Sequence, residues 1–207
     1  MVNPYNITNF NRSKSELEEF LLFTIVVAGK TAYIQAQKLE EFLSSIHKRL
    51  MMPDNVSPFQ LIRSAKDHGI LLQEIHKAKL GQYNKIHSAF LHIAENNYIL
   101  NKVTPEILEK IPGVGMKTSR FFLLHSDNNY KDNIAILDTH ILKFIKENID
   151  NRAPKSTPTN SNTYKYWEEK FLSWCKENNK DAAEFDLEVW KSYARKNKEA
   201  DAWVIAD

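Results

Sequence analysis

Three observations predict an all-α fold for this chain. Apolar residues recur at three- and four-residue spacing through most of it. No run alternates apolar and polar residues over the length of a strand. A pair of short helical segments is joined by the glycine turn Pro112-Gly113-Val114-Gly115, the pattern of a helix-hairpin-helix. The one strand-like run, Ile25-Val26-Val27, lies inside a longer helical period. No repeat suggests a solenoid.

Ser13 and Glu16 form a capping box, and Leu17, Phe20, Leu21, Thr24, Val27 and Ala28 carry the first helix to Gly29. From Thr31 to about Leu50, Ala32, Ala36, Leu39, Phe42, Leu43 and Ile46 share a face until Met51-Met52-Pro53-Asp54-Asn55 breaks the helix. Ser57-Pro58 opens a third helix, and Gly69 separates it from a run through Lys79. Gly81 precedes Tyr83 to Asn97, where Ile86, Ala89, Phe90 and Ile93 again step by three or four. In the hairpin, Thr104 and Pro105 suit the cap and first position of a helix ending at Ile111, and the second helix begins near Met116. The two glycines, Gly113 and Gly115, are expected to supply backbone angles that a Cβ would resist. A further helix opens at Asp138. The stretch from Arg152 to Thr163, rich in Pro, Ser, Thr and Asn, reads as a surface loop, and helices follow at Tyr164 to about Asn178 and Asp186 to about Lys196.

Composition narrows the function. A chain of 207 residues, 43% hydrophobic and 26% charged, suits one globular domain or two small ones. Net charge is only +2, so a nucleic-acid face must come from local arrangement. The single cysteine, Cys175, excludes an internal disulfide and any cluster held by four protein cysteines, and points to a reducing compartment. No apolar run is long enough to span a membrane, and the first residues lack the order of a signal peptide, so the expected location is the cytoplasm, with the chromosome.

The amides of a glycine turn beside a helix N-terminus form an anion site, and on this chain the expected anion is a DNA phosphate, gripped by Gly113, Val114 and Gly115. Lys117 sits just after that turn, and Asp138 follows 21 residues later in Leu137-Asp138-Thr139-His140. Singly, such a lysine is a phosphate contact and such an aspartate a helix cap. At this spacing the residues Pro112-Gly113-Val114-Gly115-Met116-Lys117-Thr118 and Leu137-Asp138-Thr139-His140 resemble the helix-hairpin-helix DNA glycosylase superfamily. The blocks Ala135 to Leu142, Pro154-Lys155-Ser156-Thr157 and Asp186-Leu187-Glu188-Val189-Trp190 look most like its compact, archaeal-type and bacterial (type 2) 8-oxoguanine DNA glycosylase/AP lyases, over about Leu17 to Lys196. The block Ala28-Gly29-Lys30-Thr31-Ala32 matches loosely, and the tail Glu199 to Asp207 departs from the basic end of the archaeal members.

That resemblance implies two helical subdomains flanking a cleft. We take them as about residues 31–143 with the hairpin, and 13–30 together with 144–196, residues 197–207 being a tail. It implies a bifunctional enzyme acting, as a monomer, on double-stranded DNA with a damaged base. Lys117 would attack the sugar and Asp138 would stabilise its developing positive charge, with β-elimination to follow. Lacking the cysteines of an iron–sulfur cluster and carrying a lysine at 117, the chain departs from the branches for oxidised pyrimidine, mismatched adenine and alkylated bases, which leaves oxidised guanine. No cofactor is expected. A monovalent cation at the carbonyls of Glu109, Ile111 and Val114 is a family expectation.

Asp186 and Trp190, four apart on one helix face, are candidates to hydrogen-bond and stack a flipped base, although a helix cap and core packing explain them equally well. His140 reads as a phosphate contact or a helix-face residue, and Lys30, Lys117, Arg120 and Lys155 as possible phosphate partners. Trp167 and Trp174 read as core and Cys175 as inert. The alternatives are the same fold acting on an alkylated purine or oxidised pyrimidine, and a non-catalytic DNA-binding hairpin module.

Overall fold

The computed structural model describes the backbone of residues 1–196 and side chains through 193. The tail and Trp203 lie outside them. Among the described residues the secondary structure is helical without strands: α1 (Lys14–Val26), α2 (Ala32–Arg49), α3 (Pro58–Asp67), α4 (Leu71–Lys77), α5 (Tyr83–Glu95), α6 (Pro105–Leu108), α7 (Met116–Ser126), α8 (Thr139–Asn148), α9 (Ser161–Glu177) and α10 (Ala182–Lys196), with a short 3-10 turn at Leu100–Lys102.

Among the described residues, side-chain caps fix the starts of five helices, α1, α3, α8, α9 and α10. Ser13 and Glu16 close a capping box on α1, and Ser57 with Gln60 does the same for α3, whose first residue is Pro58. Two helices begin earlier than their apolar periodicity suggests, because polar caps lie upstream. Asn160 accepts the Thr163 amide at 3.1 Å to open α9, and Asp181 accepts those of Ala183 and Glu184 at 3.0 Å to open α10. Asp186 is therefore inside α10 and is not its cap.

The chain forms two compact units: Met1–Ile7 with Asn11–Phe122, and Thr8–Phe10 with Leu123 onward. The division runs elsewhere than the sequence reading placed it. Helix α1 belongs with α2, α3 and α5, and residues 123–143 belong with the C-terminal helices. The reason for the first is aromatic: Phe20 and Phe23 of α1 pack edge-on against Phe121, with centroids at 6.0 and 6.4 Å, and Phe20 lies 5.7 Å from Phe122. Buried Glu18 also accepts the Phe59 amide at 2.9 Å, satisfying a donor at the start of α3. Phe42 and Phe90 join α2 to α5 at 5.7 Å. A fully buried carboxylate, Glu74, accepts from Ser45 Oγ and Arg49 Nη1, both at 2.6 Å.

In the second unit Phe144 of α8 meets Phe171 and Trp174 of α9 and Phe185 of α10, with centroids at 6.2, 4.8 and 5.2 Å. Residues 8–10 are tied to α7's end, where Asn9 N–H donates to the His125 carbonyl at 3.0 Å. Cys175 is buried in this core, and burial, with Asp186 nearby, pushes its thiol up to about 12, so it carries no thiolate at neutral pH. Trp167 is buried and Trp174 half-buried. No helix among the described residues is long and apolar enough to cross a membrane.

Candidate active site

The hairpin turn and α7 as far as Phe122 lie in the first unit. Helix α6 is a single turn, held by the Thr104 carbonyl, which accepts from the Ile107 and Leu108 amides at 3.1 Å. The chain then turns at Gly113, where φ is +80°. A Cβ there would come within 2.6 and 2.7 Å of Cε and Cγ of Lys85, so glycine is demanded twice, by torsion and by space. Gly115 differs from expectation: its φ is not positive and nothing stands within 4 Å of an added Cβ. Its role is to leave the backbone bare, with only its carbonyl engaged, by the Thr118 and Ser119 amides at 2.9 and 3.0 Å. The Val114 amide closes the turn onto Ile111 at 2.9 Å, while among the described residues nothing accepts from the amides of Gly113, Gly115 and Met116. Unsatisfied donors converging on the start of α7 are what an anion needs.

Glu109 braces the two helices of the hairpin. Its Oε1 accepts from Ser119 Oγ at 2.8 Å and pairs with Arg120 at 3.1 Å. Arg120 is buried in this clasp, so its guanidinium stabilises the hairpin and is not presented to a phosphate as the sequence suggested. Lys117, in the first turn of α7, is half-buried, and within its own unit no hydrogen bond or ion pair restrains its ammonium.

Asp138 lies in the second unit, at the end of the buried segment Ile134-Ala135-Ile136-Leu137. Helix α9 fastens that segment. The fully buried Tyr164 hydroxyl accepts from Leu137 N–H and donates to the Ala135 carbonyl, both at 3.0 Å. Buried Glu168 accepts the Ala135 amide at 3.0 Å, and Thr157 Oγ1 donates to the Leu137 carbonyl at 2.7 Å. The residue before Asp138 is thus held at both its amide and its carbonyl. Asp138 itself caps α8: Oδ1 accepts from the His140 and Ile141 amides at 2.8 and 2.9 Å. Among the described residues its other oxygen, Oδ2, takes no hydrogen bond within the unit.

His140, in the first turn of α8, is half-buried and stacked on Tyr193 of α10, with centroids 5.9 Å apart. Tyr193 in turn donates to Glu147 Oε2 at 2.6 Å and lies under the Lys143 ammonium, 4.8 Å from its centroid. Burial, then the bond to Glu147, pushes the Tyr193 phenol up to about 12. Asp186 is buried on α10, its Oδ2 3.4 Å from Nε2 of the fully buried His125. Thr8 Oγ1 meets His125 Nδ1 at 2.8 Å, while among the described residues Nε2, on the Asp186 side of the ring, makes no hydrogen bond. Trp190, one turn on, is half-buried. Tyr164, Glu168, Tyr193 and His125 escaped sequence reasoning, since each acts across a long separation that no local pattern marks. Among the described residues no group of His, Cys, Asp and Glu could hold a metal ion.

A family model for 8-oxoguanine DNA glycosylase matches residues 3–180. The chain belongs to this family. The 8-oxoguanine DNA glycosylase match spans both units and includes the hairpin, Lys117 and Asp138, and ends before Asp186 and Trp190. No curated protein matches the chain. Among solved structures, the crystal structure of Methanocaldococcus jannaschii 8-oxoguanine DNA glycosylase is similar, with a TM-score of 0.59 at 22% identity over 93% of this chain and 84% of that one. At that identity the likeness speaks for the fold, which is the helical glycosylase fold.

Proposed function

We propose that this protein is a bifunctional DNA glycosylase/AP lyase that removes oxidised purine, foremost 8-oxoguanine, from duplex DNA. The observation that carries the reading is the condition of Asp138: one carboxylate oxygen anchors α8 while the other is unengaged within its unit, on a segment pinned at both groups of Leu137. A cap alone would need no such bracing of the residue before it.

In this reading the glycine turn, of Gly113, Val114 and Gly115, grips a phosphate through the open amides of Gly113 and Gly115, the Val114 amide being taken by Ile111, and His140 meets another. Lys117, as the neutral amine, attacks C1′; the glycosidic bond breaks and its electrons leave with the base, which takes up a proton. Asp138 Oδ2 stabilises the positive charge on the sugar and accepts the proton from the attacking nitrogen. The nitrogen lone pair then opens the C1′–O4′ bond to form the imine, and loss of a C2′ proton expels the 3′ phosphate. The flipped base stacks on Trp190, and Asp186 accepts from its N–H edge. A monovalent cation at the carbonyls of Glu109, Ile111 and Val114 would stiffen the turn; Ile111's carbonyl keeps one lone pair after accepting from Val114. The protein works as a monomer, without a cluster or other cofactor.

The test is borohydride trapping on a panel of duplexes carrying 8-oxoguanine, thymine glycol, an alkylated purine or no lesion. Trapping and excision concentrated on 8-oxoguanine, and lost in Lys117→Gln, are expected. Preference for thymine glycol, or no excision of 8-oxoguanine, would overturn the substrate. Equal binding of all four duplexes without excision would leave only a DNA-binding module.

A further inference from the structure

The turn between α4 and α5 repeats a detail of the hairpin. Gly81 stands four residues before Lys85 as Gly113 stands four before Lys117, and both glycines have positive φ, +69° and +80°. The two turns meet through Lys85, whose methylenes lie where a Cβ on Gly113 would be. Lys85 is exposed, so its aliphatic stem crosses the hairpin backbone while its ammonium stays in solvent.

Two further lysines converge on the same turn. Lys30 Nζ donates to the carbonyls of Val26 and Leu80 at 3.1 and 2.6 Å, and Lys38 Nζ to that of Lys79 at 2.9 Å. These bonds satisfy carbonyls but neutralise no charge. Burial, then the charges of Lys38 and Lys85, hold the Lys30 ammonium below its ordinary range, and among the described residues no carboxylate offsets them. Three like charges gathered without a counterion raise the free energy of the unbound protein, and a polyanion lowers it.

We propose that Lys85, laid across Gly113, supplies the cation for the phosphate at the hairpin turn, and that Lys30 and Lys38 extend this basic surface to the next phosphates of the same DNA backbone. The inference deepens the glycosylase reading and rests on it for the identity of the polyanion. The contact is with phosphates alone, so it is independent of sequence and lesion.

The experiment measures binding of an undamaged duplex across a salt series for the parent, Lys85→Ala, the double variant Lys85→Ala/Lys38→Ala, and Lys48→Ala as a remote exposed control on α2. Each lost phosphate contact lowers the magnitude of the slope of log K against log salt by about 0.9. Slopes reduced by about 1 in Lys85→Ala and about 2 in the double variant, with Lys48→Ala unchanged and Lys85→Arg restoring the parent, are expected. A Lys85→Ala slope equal to the parent's overturns the inference. Excision of 8-oxoguanine by the same preparations separates the two claims: unchanged slopes with excision intact sink the lysine surface alone. Reduced slopes in a parent that excises nothing sink the enzyme reading alone.

Discussion

The imidazole of His140 lies against the phenol of Tyr193, ring centroids 5.9 Å apart and planes within 17° of parallel. The first turn of α8 therefore presents its histidine in one orientation, set by a residue of α10. Stacked pairs contribute about 0.5–1.5 kcal/mol. If His140 meets a phosphate, Tyr193→Leu weakens duplex binding roughly 2- to 10-fold, whereas Tyr193→Phe, which keeps the ring and removes the hydroxyl that bonds Glu147, stays near the parent. Binding titrations on the two variants check this.

Tyr164 holds the segment before Asp138 through two backbone bonds. Tyr164→Phe leaves the Ala135 carbonyl and Leu137 amide without that partner in a buried setting, costing about 1–3 kcal/mol of stability. Its signature in single-turnover excision is a fall in the chemical rate with duplex affinity preserved, because the hairpin is untouched. An equal loss of both would show that Tyr164 is structural only.

The hairpin glycines should separate cleanly. Gly113→Ala forces a side chain into positive φ and onto Lys85, destabilising by about 1–3 kcal/mol and weakening duplex binding. Gly115→Ala, with open space and ordinary φ, changes folding stability by less than about 1 kcal/mol, and its effect falls on DNA affinity alone. Thermal melts and binding curves on the pair read this out.

Acid sensitivity should trace to Glu74. Burial alone would raise its carboxyl, but Ser45, Arg49 and Lys77 together hold it below its ordinary value of 4.5. A depressed carboxylate contributes stability that is full above the unfolded value and lost as pH falls through the folded one. Glu74→Gln should therefore be less stable than the parent at pH 7 by about 2 kcal/mol, the difference shrinking below about pH 4.5. Denaturant unfolding at several pH values measures it.

The legible parts of this chain are those where cause and effect lie close in sequence. Ser13 with Glu16, Ser57 with Gln60, and the Pro112–Gly115 turn each settle their own surroundings, so the helices and the hairpin could be read directly. The starts of α9 and α10 were misplaced because Asn160 and Asp181 stand among residues that also suit loops, and a cap reveals itself only through the amides it meets. Arg120 looked available because nothing local marks Glu109, eleven residues back across the turn, as its partner. The allegiance of α1 to the first unit depends on Phe20 and Phe23 reaching Phe121, about a hundred residues downstream. The clasp of Tyr164 on Leu137 joins a side chain to a backbone, which no residue pattern encodes.

Because one carboxylate oxygen of Asp138 secures the opening of α8, selection for folding guards this position even where selection on chemistry is relaxed. A descendant that had stopped repairing DNA would still be expected to retain aspartate, or drift only to asparagine, whose amide oxygen serves the same two backbone donors. Finding aspartate there in a relative is thus no certificate of activity, and asparagine is the replacement that silences the charge while sparing the helix.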